Sequence, residues 1–222
     1  MPFQIETTVT CYLLPEDGVP AQQSFLNHLL DPGETWIIAY AFTLVPMIQD
    51  LLKAHQNGVP LHIYLDHSQT EGKVQLPEVK QLVAAGIEVT IGTSPAGSQY
   101  ICHTKGMVSD PDAKGQGSLY CWEGSVNFSA SAWHQVNTAM VFASQEWRDE
   151  FVGQFEALKQ YAWTNERSMQ LMSSPPPMGA PVPAAVAKRH GILQRAGTAG
   201  LATARTPKRN KHSSAGRARK KR

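Results

Sequence analysis

A histidine and a lysine two residues apart, His103 and Lys105, lie in the apolar segment "ICHTKGMVSD", which ends at Asp110. Side chains alternate between the two faces of a β-strand, so this spacing predicts that the imidazole and the ammonium group point the same way. Roughly twenty residues later, "GSVNFS" gives Ser125 and Asn127 the same spacing. Two neighbouring strands would then present four polar groups to one spot. The set suits a phosphate, because it combines a cation, neutral hydrogen-bond donors and a nitrogen that can attack or transfer a proton.

These two segments resemble the motifs of a known family. "HTKGMVSD" fits the pattern H-x-K-x4-D, and "GSVNFS" fits the G-S-x-N that follows it in the phospholipase D superfamily. The order of predicted elements across about residues 30 to 165 is also similar to that family. The likeness is closest to its short members with a single motif, the metal-independent endonucleases and related phosphodiesterases.

The resemblance implies a role for each residue of the two motifs. His103 is expected to be the nucleophile that forms a phosphohistidine, and Lys105, Ser125 and Asn127 are expected to bind the phosphoryl oxygens. Asp110 completes the catalytic motif by holding its surroundings in place. No metal ion and no other cofactor is expected.

The chain carries one such motif, whereas the family mechanism needs two histidines, one to attack phosphorus and one to protonate the leaving oxygen. A two-fold symmetric interface places identical residues opposite each other. We therefore expect a homodimer in which each subunit supplies one His103 to a shared site.

The sequence departs from the family pattern at one point. Single-motif nucleases often have a Glu on the strand after G-S-x-N that orients a histidine, but the nearest position here is Asn137, in "QVNTAM". Asn accepts a hydrogen bond from imidazole without stabilising an imidazolium as a carboxylate does. Glu123, just before Gly124, is a candidate substitute, and His134 is a further candidate neighbour of the site.

The chain before these motifs alternates strand and helix patterns. "TWIIAYAFT", "VPLHIYLD" and "IEVTIG" are typical of buried strands, whereas "PMIQDLLKAHQNG" and "PEVKQLVAAG" have helical spacing. This β-α-β-α-β order with short connections indicates parallel strand pairs. Asp66 and His67 follow the second strand, and both a substrate-side role and a loop-capping role are open to them.

The second half has a different pattern. "YICHTKGMVSD" and "GSLYCWEGSVNF" are strand-like runs joined by the turn-rich "PDAKGQ", and "NTAMVFAS" is another strand. "EWRDEFVGQFEALKQYA" is predicted to be an amphipathic helix with Trp147, Phe151, Phe155 and Leu158 on one face. The predicted fold is α/β, with a mixed, largely parallel sheet flanked by helices, as in phospholipase D. We find no internal repeat.

The charges divide the chain into two parts. From Leu171 onward it has twelve of its 20 Lys and Arg residues and none of its 18 Asp and Glu residues, so the body is near −10 and the tail near +12. We predict a catalytic domain over residues 1–167, a Pro- and Ala-rich linker over 168–187 and a disordered basic tail over 188–222. The tail is expected to bind nucleic-acid phosphates without sequence preference. Its candidate contacts are Lys208, Arg209, Lys211, Arg217, Arg219, Lys220, Lys221 and Arg222.

Other features favour a cytoplasmic protein without integral membrane association. The N-terminus "MPFQIETTV" lacks the basic and apolar regions of a signal peptide. The longest apolar stretch, "WIIAYAFTLVPMI", is 13 residues long and too short to span a bilayer. Of the three cysteines, Cys102 and Cys121 are interpreted as small core residues.

Three functions remain open from the sequence. The first is a metal-independent endonuclease, and the second is a phospholipase or phosphatidyltransferase that uses the same site on lipid phosphodiesters. The third is a nucleic-acid-binding module whose catalysis is weak or lost, to which the missing Glu gives some support.

Overall fold

The computed structural model of the chain describes residues 3–31, 33–97 and 100–163. The predicted linker and basic tail lie outside the described residues. The strands are β1 (Val9–Leu14), β2 (Thr35–Ala39), β3 (Leu61–Asp66), β4 (Glu88–Gly92), β5 (Lys105–Ser109), β6 (Tyr120–Gly124) and β7 (Asn137–Phe142). The helices are α1 (Gly18–Leu29), α2 (Val45–Gln56), α3 (His67–Thr70), α4 (Gln75–Ala84) and α5 (Gln145–Leu158). Short 3-10 helices occupy Ala132–His134 and Lys159–Tyr161.

The strands form one sheet in the order β1-β7-β6-β5-β2-β3-β4. β2, β3 and β4 are parallel, as the alternating strand and helix pattern predicts, because α2 and α4 supply the crossover connections. β5 then enters the sheet beside β2 in the antiparallel direction. β6 and β7 follow as antiparallel neighbours, and β1 adds an antiparallel strand outside β7.

The predicted fold class is confirmed as a mixed α/β sheet flanked by helices. The expectation that the sheet is largely parallel is wrong, because four of the six strand pairings among the described residues are antiparallel. β5, β6 and β7 enter the sheet in alternating directions, and β1 and α1 precede the first element that the sequence predicts.

Each face of the sheet carries its own hydrophobic core. On one face α1, α2 and α4 pack against the sheet through residues such as Phe25, Ile48 and Leu82. On the other face α5 buries Phe151, Phe155 and Leu158, with Trp147 packed against them at the margin. The predicted apolar face of this helix is therefore confirmed. Cys102 and Cys121 are buried in the second core, as expected.

The strand directions define two ends of the sheet. The upper end is formed by the carboxyl ends of β1, β2, β3, β4 and β6 and the amino ends of β5 and β7. The lower end is formed by the other ends of the same strands. No helix in the described part of the chain is long and apolar enough to cross a bilayer.

Candidate active site

His103 lies at the upper end, in the extended segment that leads into β5. The strand begins at Lys105, five residues after Tyr100, where the strand-like sequence run starts. Hydrogen bonds fix the backbone on both sides of the histidine: the Cys102 amide donates to Asp66 Oδ2 at 2.6 Å, and the Tyr40 amide donates to the Thr104 carbonyl at 3.0 Å. The backbone is thus held in place while the imidazole itself is exposed.

Asp66 is the buried anchor of this segment. Its side chain has no solvent exposure, and its Oδ1 accepts hydrogen bonds from the Ser68 amide at 2.9 Å and the Ser68 hydroxyl at 2.5 Å. The carboxylate therefore caps the turn after β3 and also reaches Cys102. Of the two roles that the sequence leaves open for Asp66, the structure shows the capping one.

The His103 ring packs against Tyr40, with ring centroids 4.7 Å apart. The Tyr40 hydroxyl in turn accepts a hydrogen bond from Gln69 Nε2 at 2.9 Å. Partial desolvation lowers the pKa of His103, the nearby Lys105 charge lowers it further, and Asp66 acts in the opposite direction. A lowered pKa favours neutral imidazole, which is the form that attacks phosphorus.

Lys105 is buried at 3% exposure, although its side chain carries a charge. Its Nζ donates to the His103 carbonyl at 2.5 Å and lies 5.4 Å from the centre of the Tyr40 ring. Burial lowers the pKa of this ammonium group, and electrostatic interactions with Cys102 and Glu123 oppose that shift. Within the described residues it forms no salt bridge, so its remaining N–H groups are left for an anionic ligand.

Glu123 lies on β6 directly opposite Gly106 of β5. A Cβ atom at Gly106 would be 2.7 Å from Glu123 Oε2 and 2.5 Å from the Phe151 ring, so only glycine leaves room for the carboxyl group. Burial raises the pKa of Glu123 to about 7, against a smaller opposing effect of Lys105. The pKa of Glu123 thus lies near neutral pH.

Ser125 and Asn127 follow β6 rather than lying within it. The Ser125 hydroxyl donates to Asn137 Oδ1 at 2.9 Å and accepts from the Thr138 amide at 3.0 Å. Asn137 Nδ2 donates to the Ala132 carbonyl at 2.9 Å. Asn137 therefore positions Ser125, the residue predicted to contact phosphate. Asn127 Oδ1 is buried and has no hydrogen-bond partner among the described residues.

The two remaining predicted site residues lie at opposite ends of the sheet. Asp110 is at the lower end, beyond the last residue of β5, where its carboxylate forms a salt bridge with Arg148 of α5. A strand rises about 3.3 Å per residue, so roughly 20 Å separates Asp110 from His103. His134 is exposed in the 3-10 helix before β7, at the upper end. The structure thus brings His103, Lys105, Ser125 and Asn127 to one end and places Asp110 away from them.

Sequence reasoning missed the network that supports His103. Tyr40, Asp66, Ser68 and Gln69 come from the ends of β2 and β3, more than thirty residues before the histidine. The position of Asp66 at the carboxyl end of a buried strand was the available signal. Its contact with Cys102 depends on how β3 and β5 lie on either side of β2.

The upper end therefore combines an exposed imidazole, a buried unpaired ammonium group, a hydroxyl and an amide. Such a group of side chains can bind a phosphodiester and attack it. Among the residues that the structure describes, no three His, Cys, Asp or Glu side chains come together as a metal site. Fold and site together define a protein of the phosphoryl-transfer class.

Comparison with known families agrees with this class. The family described as "Cardiolipin synthase, PLD-like domain" matches residues 32–163, which is more than half of the chain. The chain belongs to this phospholipase D-like family, as its motifs indicated, and is a phosphodiesterase by class. No curated protein matches it in sequence.

Solved structures show the same fold at low sequence identity. Nuc from Salmonella typhimurium, a phospholipase D family member, is 19% identical with a TM-score of 0.60, over 71% of this chain and 97% of Nuc. NucT from Helicobacter pylori is 14% identical with a TM-score of 0.62, over 71% of this chain and 98% of NucT. Phosphatidylserine synthase from Haemophilus influenzae Rd KW20 is 13% identical with a TM-score of 0.58, over 90% of this chain and 48% of that protein.

Proposed function

We propose that this protein is a metal-independent endonuclease that hydrolyses nucleic-acid phosphodiester bonds through a phosphohistidine, in a site shared by the two subunits of a homodimer. The observation that carries the proposal is the Lys105 ammonium group, which is buried, forms no salt bridge with any residue that the structure describes and lies beside the exposed His103. Burying an unpaired cation costs free energy, and a bound phosphate would offset that cost.

The proposed reaction has two steps. A neutral ring nitrogen of His103 attacks phosphorus, the bond from phosphorus to the leaving oxygen breaks, and that oxygen takes a proton from His103 of the partner subunit. The partner's His103 then removes a proton from water, which attacks phosphorus and breaks the phosphorus–nitrogen bond. Lys105, Ser125 and Asn127 stabilise the charge on the phosphoryl oxygens in both steps.

Exposed apolar residues support the shared site. Leu13, Ile101 and Val136 are 61%, 43% and 91% exposed, and all three lie at the upper end, where His103 is found. A dimer that joins two upper ends would cover these side chains and bring the two His103 residues together. The chain has one H-x-K-x4-D motif, so the second histidine must come from another copy or another position.

The charge distribution favours nucleic acid as substrate. A body near −10 repels a polyanion at long range, and a tail near +12 provides attraction that offsets this repulsion. Deleting residues after 170 is expected to weaken DNA binding and flatten its salt dependence while hydrolysis of a small phosphodiester continues. Unchanged DNA affinity would remove the tail from the proposal.

The central experiment measures plasmid nicking in the presence of EDTA. The native protein should nick DNA with the chelator present and yield an acid-labile phosphoenzyme, and His103→Ala should abolish both. His55→Ala, at the lower end, is the matched histidine control and should retain activity. Loss of native activity in EDTA would contradict the metal-independent mechanism.

Mixing subunits tests the shared site. Native protein and His103→Ala are combined in varied ratios and allowed to exchange subunits by unfolding and refolding. If both His103 residues serve one site, activity falls as the square of the native fraction. A linear fall would show that each chain acts alone.

A lipid phosphodiester is the second candidate substrate. It is favoured by the matching family's description and by the likeness to phosphatidylserine synthase, which extends over 90% of this chain. Turnover of phosphatidylcholine or phosphatidylglycerol vesicles without plasmid nicking would favour it. Absence of both activities, with no phosphoenzyme formed, would favour a nucleic-acid-binding module that has lost catalysis.

A further inference from the structure

We propose that Asp66 is a positioning residue for His103, acting through the backbone of Cys102. This inference rests on the proposed function, since it concerns the same histidine, and it assigns a role outside both sequence motifs. The basis is a continuous chain of hydrogen bonds from the end of β3 to the segment before β5.

The Asp66 carboxylate is held by hydrogen bonds out of contact with solvent. A carboxylate without solvent is costly unless hydrogen bonds satisfy its oxygens. Asp66 is completely buried and accepts three: two at Oδ1 from Ser68 and one at Oδ2 from the Cys102 amide at 2.6 Å. The fold therefore commits one full carboxylate oxygen to the residue that immediately precedes His103.

Hydrogen bonds to the two residues after Cys102 also hold this segment in place. The His103 carbonyl accepts from Lys105 Nζ, and the Thr104 carbonyl accepts from the Tyr40 amide at 3.0 Å. With Asp66 on Cys102, the three consecutive residues 102, 103 and 104 each have a fixed backbone group. Without Asp66, Cys102 loses this attachment, and the next hydrogen bond on the N-terminal side is the one that the Thr93 hydroxyl donates to the Tyr100 carbonyl at 2.6 Å.

Asp66 also contributes to the position of the His103 imidazole ring. His103 packs against Tyr40, whose hydroxyl is held by Gln69 of α3. Asp66 is the residue that caps α3. One carboxylate thus orders both the backbone that carries His103 and the turn that holds the ring against which His103 packs. Its negative charge also favours the cationic ring that forms when the histidine is phosphorylated.

Misplacing a nucleophile by about 1 Å costs on the order of 100-fold in rate, and removing a support of this kind costs about 10- to 100-fold. The expected effect of Asp66→Asn is therefore a fall in kcat of about 10- to 100-fold on a small phosphodiester such as bis(p-nitrophenyl) phosphate. KM should change by less than about threefold, because Asp66 is buried and touches no substrate. The rate of phosphohistidine formation should fall by the same factor as kcat.

Thr70→Val is the matched control. The Thr70 hydroxyl donates to the Asp66 carbonyl at 2.8 Å and accepts from Gln75 at 3.1 Å, so this change disturbs the same buried turn but spares the contact with Cys102. It should lower stability while leaving kcat within about threefold at temperatures where the protein is folded. If Thr70→Val reduces kcat as much as Asp66→Asn does, general loosening is the cause and the proposal is overturned.

Two measurements without substrate separate this inference from the proposed function. Hydrogen exchange at the Cys102 amide should accelerate at least tenfold in Asp66→Asn and not in Thr70→Val. The pKa of His103, followed by NMR, should fall in Asp66→Asn, because Asp66 normally raises it. These results would hold even if the chain proved inactive on every phosphodiester.

A second substitution tests the proposal if Asp66→Asn fails to fold. Asp66→Glu keeps the charge and moves the oxygens by one methylene, so it should also lower kcat and speed exchange at Cys102. Native-like kcat and native-like exchange in either folded variant would overturn the proposal.

Discussion

The two ends of strand β5 differ in whether their charged groups are paired. At the lower end, Asp110 pairs with Arg148, whose guanidinium lies 4.7 Å from the centre of the Trp36 ring. Nearby, His62 lies between Glu34 and Glu88, at 2.7 and 2.8 Å. Asp110 and His62 are thus paired with oppositely charged or hydrogen-bonding side chains of the same chain.

At the upper end two buried polar groups lack such partners. Lys105 is buried without a salt bridge among the described residues, and Asn127 Oδ1 is buried without a hydrogen bond. Glu123 has a raised pKa beside that lysine. Large apolar side chains such as Leu13 and Val136 are exposed at the same end.

The difference shows where the fold is optimised for stability and where it is not. Paired charges lower the free energy of the native state, whereas unpaired buried groups and exposed apolar groups raise it. A fold retains such costs where a ligand or a partner subunit removes them on binding. The two halves of the H-x-K-x4-D motif therefore differ: Asp110 is paired within the fold, whereas His103 and Lys105 lie at the end for which we propose catalysis.

The largest expected effect is that of Lys105→Met, which keeps the aliphatic length and removes the charge. We expect kcat to fall about 100- to 1000-fold, equivalent to about 3–4 kcal/mol of transition-state stabilisation. Stability should be unchanged or should rise by about 1 kcal/mol, because a buried cation is lost. Lys159→Met, at the lower end, is the control and should leave kcat intact. Equal losses of kcat in Lys105→Met and Lys159→Met would contradict a special role for the unpaired lysine at the upper end.

The second prediction concerns the pH dependence of stability at Glu123. The folded-state pKa of about 7 lies above the ordinary value of 4.5, so between these values the native state retains a proton that the unfolded state has lost. Stability from this group is present below pH 4.5 and is lost as pH rises toward 7. Native protein should therefore lose on the order of 2–3 kcal/mol relative to Glu123→Gln between pH 5 and 8. Urea unfolding at both pH values measures the difference.

The exposed Glu146 provides the control for that titration. Its pKa is lowered by hydrogen bonds to its own backbone amide and to Ser144, so its contribution has the opposite sign. Glu146→Gln should therefore not reduce the loss of stability above pH 5. Equal pH profiles for native protein and Glu123→Gln would show that Glu123 is not buried as a neutral acid.

The third prediction tests the apolar side chains of the upper end. The double substitution Leu13→Ser and Val136→Ser removes two exposed apolar groups and adds no charge. We expect the dimer dissociation constant to rise about 10- to 100-fold, because these side chains would no longer be buried between subunits. Val83→Ser, 39% exposed at the lower end, should leave it unchanged. Sedimentation velocity over a concentration series measures the dissociation constant of each variant. Equal increases for the double variant and for Val83→Ser would disfavour an interface at the upper end.

The smallest effect is expected for Asp110→Asn. Asp110 and Arg148 are each about one-fifth exposed, so breaking their salt bridge should cost about 1–2 kcal/mol of unfolding free energy. The value of kcat should change by less than about threefold, because Asp110 is distant from His103. Asp149→Asn, which removes another contact of Arg148 at 3.0 Å on a more exposed residue, should have a smaller effect on stability. A large loss of kcat in Asp110→Asn would contradict the structural role.

Much of the fold could be predicted from local patterns. The parallel unit of β2, β3 and β4 with its helices follows from apolar periodicity and from Gly and Pro at the element ends. β1 was missed because its burial is low along most of its length, so it lacks the pattern of a core strand. The sequence did not indicate that most strand pairs are antiparallel. The direction in which β5 enters the sheet depends on its pairing with β2, about 70 residues earlier in the sequence.

The sequence by itself determined which chemical groups this protein has available: the imidazole, the ammonium group, the two neutral donors and the single copy of the motif. Residue types and short spacings carry that information, since each is a local property of the chain. Only the tertiary structure decided that Asp110 pairs with Arg148 at the far end, that Asn137 holds Ser125 and that Asp66 holds the segment before His103. Those contacts join residues well separated in sequence. Their geometry is set by strand order and by side-chain burial, which no short stretch of sequence specifies.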